Sequence, residues 1–223
     1  MKKFALTAAA AAAALAVTGT AHAGSSEGKI QVKVLATAVL PDGKIDFNKS
    51  VINAGILNGT NDTRANDNVV PTVAIEYFFM DNFSVETICC LTGHHVSLTG
   101  TPSAEHLIDH VLVLPATLTI KAHLPLGVVK PYIGAGITEF FFLGERGGSD
   151  IPGIDAKLDN TFGGVVQAGV DIPVNENGMS VSLDAKRYFV RPRSHFYSGG
   201  VEVISAEHKL DPWVLSAGVA YRF

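Results

Sequence analysis

Through much of this chain apolar residues recur at every second position, most plainly from Trp213 to Phe223. Trp213, Leu215, Ala217, Val219, Tyr221 and Phe223 fall on one side of that segment; Val214, Ser216, Gly218, Ala220 and Arg222 fall on the other. Successive side chains of an extended strand point to opposite faces, so this period predicts a strand with one apolar and one mixed face. The apolar face has aromatic residues at its ends and aliphatic ones between. That is the profile of a strand crossing a bilayer, with Trp and Tyr at the interfaces.

Seven more segments alternate. Residues 30–38 set Val32, Val34 and Ala36 against Gln31, Lys33 and Thr37, and residues 69–80 set Val73, Ile75, Tyr77 and Phe79 against Thr72, Ala74 and Glu76. Residues 83–91 place Val85 outward and Glu86 inward, and the apolar row from Leu112 to Ala122 opposes Thr117, Thr119, Lys121 and His123. Further strands are predicted at 130–143, 158–174 and 181–185; the glycines at 131–137 leave the faces of the first of these open. Short turns at Asp81-Asn82, 124–127 and 175–178 alternate with Gly/Asn/Asp-rich connections at 40–68, 95–109, 144–157 and 191–210. Short turns on one side and long loops on the other are the scheme of an even-stranded outer-membrane barrel. The predicted fold is therefore all-β, an eight-stranded antiparallel up-and-down transmembrane β-barrel. A barrel of this size is nearly filled by its own side chains.

The start of the chain agrees. Met1-Lys2-Lys3, an alanine- and leucine-rich run and then Ala21-His22-Ala23 read as a cleaved signal peptide over residues 1–23. The barrel then occupies 24–223, which is 223 − 23 = 200 residues. No Cys follows the cleavage site, which argues against a lipoprotein anchor. A net charge of −4 offers no field for nucleic acid. Cys89 and Cys90 are neighbours on an alternating strand and point apart, so two thiols are expected rather than a disulfide.

The inward face collects charge. Lys33, Glu76, Glu86, Lys121, Asp171, Asp184, Lys186 and Arg222 all lie opposite the apolar side. Balanced charges in a narrow lumen are paired or wet, so the set reads as a salt-bridged plug in preference to an ion pathway. The predicted outer rim is apolar instead, at Ile52, Ile56, Leu57, Val96, Leu98, Leu107, Ile108, Phe140, Phe141, Phe142, Phe196, Tyr197, Val201, Val203 and Ile204. Such surface marks a binding site or is buried within extracellular hairpins. An apolar entrance over a plugged base gives a solute no downward exit. Prolines Pro71, Pro115 and Pro131, within or at the ends of strands, are expected to mark a bulge or gap in the wall, because each lacks a ladder donor. Ser194-His195 suggests a hydrolase, but neighbours on an extended chain point apart and no carboxylate is placed to orient the His. His94, His95, His106 and His110 lack the helical pattern that would gather them on a metal. No enzyme, metal or cofactor is expected.

Leu114-Pro115-Ala116-Thr117-Leu118, 130–136 (Lys-Pro-Tyr-Ile-Gly-Ala-Gly), 158–163 (Leu-Asp-Asn-Thr-Phe-Gly) and 167–171 (Gln-Ala-Gly-Val-Asp) occur in order, followed by Lys209-Leu210-Asp211-Pro212-Trp213-Val214 and the terminal Tyr221-Arg222-Phe223. On these segments the chain resembles the OmpW family of eight-stranded outer-membrane barrels, which includes AlkL-type hydrocarbon uptake proteins. The first long loop and the region around Cys89-Cys90 depart from the family pattern. The resemblance implies passive passage of small hydrophobic molecules into an apolar extracellular tunnel and out sideways through the wall. A structural or adhesive barrel acting through its external loops is the alternative. The expected partners are outer-membrane lipid and lipopolysaccharide, small hydrophobic solutes, and the barrel assembly machinery, with Tyr221 and Phe223 as its C-terminal signal.

Overall fold

A computed structural model describes residues 28–41, 44–52, 62–65, 68–90, 92–99, 108–124, 126–147 and 153–223. The signal segment, Ile56, Leu57, His106 and Leu107 lie outside these residues. In chain order the strands are β1 (Ile30–Leu40), β2 (Lys44–Ile52), β3 (Asp62–Ala65), β4 (Asn68–Met80), β5 (Phe83–Cys89), β6 (Thr92–Thr99) and β7 (Ile108–His123). They continue with β8 (Lys130–Gly147), β9 (Ile154–Leu158), β10 (Thr161–Pro173), β11 (Met179–Phe189), β12 (Arg193–Ser198), β13 (Val201–Lys209) and β14 (Trp213–Arg222).

Eight of these close a barrel. Antiparallel ladders run from β1 to β4, β5, β7, β8, β10, β11 and β14, and β14 returns to β1. The Phe223 amide donates to the Ile30 carbonyl at 2.7 Å, tying the chain end into this seam. Each of these eight strands is thus paired on both sides, which closes the sheet and leaves it no free edge strand. The faces are inverted relative to a soluble protein. Ile133 (65 %), Ile120 (61 %) and Phe162 (67 %) are exposed outside, while Lys121, Glu76 and Lys33 are buried inside. A wall of this polarity is stable against hydrocarbon and not against water. β8, left open by its glycines, turns Tyr132, Thr138, Phe140 and Phe142 inward.

The long connections are not loops throughout. β7 and β8 extend their ladder to Ile108↔Gly147, and β3 pairs with β6 beside them. Beyond the barrel end, β2, β13, β12 and β9 form a second, four-stranded sheet. The strand predicted over 158–174 breaks at Asp159-Asn160, where Asn160 Oδ1 accepts the Phe142 amide at 3.2 Å. A matching corner sits between β13 and β14. Asp211, at φ 26°, accepts the Val190 amide at 3.0 Å, and the Leu210 and Tyr188 amides donate to the Val190 and Pro212 carbonyls. Leu-Asp-Pro-Trp is thus the bend at which two barrel strands pass into the outer sheet.

Candidate functional site

The site is the barrel interior, and its chemistry changes with height. On β7, from the short turn outward, the inward residues are His123, Lys121, Thr119, Thr117, Pro115 and Val113. The same order of polarity holds on β5, with Ser84, Glu86, Ile88 and Cys90.

An ionic layer fills the lower part. Glu86 Oε2 meets Lys121 Nζ at 2.9 Å and Lys33 Nζ at 3.4 Å, while its Oε1 takes Lys186 Nζ at 3.1 Å and Gln167 Nε2 at 2.9 Å. Glu76 Oε2 meets the same Lys121 and Lys33 at 2.9 and 3.1 Å, and its Oε1 accepts from Ser84 and contacts His123 Nε2 at 2.8 Å. Asp171 joins Lys33 at 3.4 Å and Gln31 at 3.1 Å. Asp184 joins Lys186 at 2.6 Å, Gln167 at 2.6 Å and the Tyr132 hydroxyl at 2.8 Å. The Lys121 ammonium lies over the Tyr132 ring, 3.7 Å from its centroid, a cation–π contact. Gly169 makes this arrangement possible, because a Cβ there would overlap the Tyr132 hydroxyl and the Leu183 carbonyl. With every ammonium surrounded by carboxylates, desolvation is offset by short, multiple contacts.

Seven of the eight residues assigned to the plug are brought together. Arg222 is the correction: it sits at the short-turn rim, its guanidinium 3.6 Å from the Phe78 ring centroid and its Nε donating to the Gly28 carbonyl. The layer therefore joins three lysines to four carboxylates, with Gln31, Gln167, Tyr132, Ser84 and His123 completing it. Counting charges alone misses these five, although alternation had already turned Gln31 and His123 inward. A polar cavity of about 450 Å³ opens beneath, lined by His123, Asp171, Arg222, Lys130, Asp81 and Asn82 among others.

Hydroxyls follow above the ions. Thr37 and Ser216 share a 2.8 Å hydrogen bond, and Thr117 contacts Thr138 at 2.9 Å and Tyr188 at 3.3 Å. The upper interior is apolar: Val113, Phe140, Phe142, Leu158, Val165, Tyr188, Val190 and Val214 form one cluster. Val70, Ala74, Ile88 and Cys90 form another, and Val39 touches both. Of the predicted rim residues, Phe140 and Phe142 belong to the first cluster. Phe141 points the other way, half-buried. Phe196 is buried in the outer sheet, and Tyr197 stacks on His195 with centroids 6.4 Å apart. Ile52 lies on β2, Val96 and Leu98 on β6, and Ile108 on β7, positions whose side chains are not described.

Among the described residues the ladder of the wall is interrupted beside Pro115. Ile88 pairs with Thr117 and Thr92 with Val113 in one register, while Cys90 between them belongs to no strand, so among the described residues β5 and β6 meet β7 as two separate stretches. Continuing the register places Cys90 opposite Pro115, which has no N–H to give. On the other side the ladder from β4 stops at Val73↔Cys89, two residues short of Pro71. The bulges expected at prolines are absent. Register runs unshifted past Pro115, Pro71 and Pro131, and the irregularities near the gap fall at His94/Val96 and around His110.

Ser194 and His195 face opposite sides, as adjacent strand residues must. Ser194 is buried against His208 at 2.7 Å, whereas His195 contacts Asp159 at 3.0 Å and Glu202 at 3.3 Å. Those carboxylates come from β13 and the bend between β9 and β10, beyond the reach of a local pattern. The side chains of His94, His95 and His110 are outside the described set.

A closed, inverted sheet with a paired ionic interior defines an outer-membrane β-barrel protein. The chain belongs to the OmpW family, whose sequence profile matches residues 26–223. It is 33 % identical over 174 residues to the uncharacterized outer-membrane protein y4mB of Sinorhizobium fredii, covering 76 % of this chain and 73 % of that one. It is 29 % identical over 163 residues to the dibenzothiophene metabolism operon protein PahQ of Pseudomonas aeruginosa, covering 71 % and 74 %. In fold it resembles the crystal structure of outer membrane protein OprG from Pseudomonas aeruginosa, with a TM-score of 0.78, 19 % identity and coverage of 91 % and 99 %. The protein is located in the bacterial outer membrane.

Proposed function

We propose that this barrel passes small hydrophobic molecules inward without energy input, receiving them in its apolar upper interior and releasing them sideways between β4 and β7, at the gap joining β5 to β6. The observation that carries this is the combination of an apolar upper interior with a paired ionic layer beneath it. An apolar solute gains by leaving water for the Phe140–Val214 surroundings and would lose by separating buried ion pairs below. The interruption of the ladder beside Pro115, with Pro71 on the neighbouring strand, supports an exit at the height of the apolar clusters. The name of the relative PahQ, which associates it with dibenzothiophene metabolism, agrees with an apolar aromatic solute.

Cys90 permits a reversible test. Pro115 and Cys90 are both buried on the inward face and opposed in register, so P115C in a Cys89→Ser background can form a cross-strand disulfide. Oxidation is expected to reduce uptake of a labelled alkane or fused aromatic to the level of protein-free vesicles, and reduction to restore it. Unchanged uptake in the oxidised protein would sink the lateral route. Equal uptake by cells with and without the protein would favour an adhesive role for the outer sheet.

A further inference from the structure

The outer wall carries a depression that transport does not use. In register, Val69, Ala38, Leu215, Ala185 and Ala168 lie side by side across β4, β1, β14, β11 and β10. The next row toward the short turns is Ala36, Ala217, Leu183 and Val170. These are outward positions, and the shortage of side-chain volume at the alanines leaves a groove of about 420 Å³ facing the bilayer.

The row directly above the groove is Leu40, Trp213, Arg187 and Val166. Arg187 stacks on Trp213 with its guanidinium 5.3 Å from the ring centroid. Among the described outward side chains of the eight barrel strands it is the one cation. A cation facing lipid is costly unless it reaches the headgroup level, and the indole beside it marks that level. Arg191 and Lys209, both exposed, follow where β11 and β14 bend into the outer sheet, held together by the Leu210–Val190 hydrogen bond.

We propose that this face binds a phosphorylated, multiply acylated lipid of the outer leaflet. An acyl chain lies in the alanine groove and a headgroup phosphate meets Arg187, Arg191 and Lys209. Charge complementarity selects this occupant over a second copy of the chain. Two copies related by an axis along the membrane normal would set the same cations against each other across the seam.

Native mass spectrometry of the detergent-purified full chain tests the assignment, using lipid A, its dephosphorylated form and phosphatidylethanolamine as probes. One lipid A is expected to be retained in preference to the other two. R187Q weakens retention roughly fivefold, and the triple variant R187Q/R191Q/K209Q by on the order of a hundredfold. A36L/A217L fills the groove without touching the cations and also weakens retention. All these positions face outward, and an unchanged β-type dichroism spectrum shows that the barrel persists. Equal retention of dephosphorylated lipid A, indifference to the variants, or a dimer that survives removal of lipid would each overturn the proposal.

Discussion

Glu86 receives more of the buried charge than any single lysine can match, since both of its oxygens are shared between ammonium groups and Gln167. Replacing it by Gln keeps the volume and leaves three lysines around a neutral amide. Lys33 and Lys121 keep Glu76 and Lys186 keeps Asp184, but each loses a buried charge partner at once, at about 3–5 kcal/mol in all. Urea unfolding of E86Q in lipid vesicles is expected to show a loss of that size, and a loss under about 1 kcal/mol would mean the layer is wet and screened. Gly169→Val tests the other support. It pushes the Tyr132 phenol off Asp184 and overpacks the wall, costing about 3 kcal/mol, whereas Tyr132→Phe removes the hydrogen bond alone and costs roughly half as much. Tyr132 was not legible in the chain because alternating glycines hid which face of its strand was inner. Its position becomes plain only once Gly134 is seen as room for the Lys121 and Gln167 side chains and Gly136 as a close approach to the β7 backbone.

At the level of strands, period two was enough wherever one face meets lipid and the other the lumen. There the two environments differ sharply, and a slip of one residue would exchange them. Beyond the membrane band both faces meet water or the outer sheet and the contrast fades, so the long connections mark out no β2, β9 or β12, and β13 shows only as the alternation from Val201 to Ile204. The same fading hid the corner at Leu210-Asp211-Pro212, a motif seen in the sequence without its geometry. Asp211 there combines a left-handed φ with acceptance of a buried amide. Asp211→Asn keeps an acceptor and tolerates that conformation, so it is expected to be near neutral. Asp211→Ala orphans the Val190 amide and should cost about 1–3 kcal/mol, read as a lower unfolding midpoint. Equal midpoints for the two variants would show that the corner is held by its prolines instead.

Over the whole molecule, the vertical gradient separates two properties that an open pore would couple. Ions must cross the floor, whereas on the proposed lateral route a solute leaving at the β5–β6 gap never reaches it. Variants of the two layers should therefore dissociate. Val165, 2 % exposed within the upper cluster, becomes an obstacle when enlarged. V165W is expected to cut uptake of a hydrophobic solute at constant barrel content while leaving ion conductance in planar bilayers at its low basal level. Lys186→Met does the reverse. It takes from Asp184 its ammonium partner and from Glu86 one of three, loosens the floor and raises conductance, yet leaves the upper interior and the gap as they were. If V165W and K186M instead lowered uptake together, the solute would be passing through the ionic layer, and the gradient would be a path rather than a barrier.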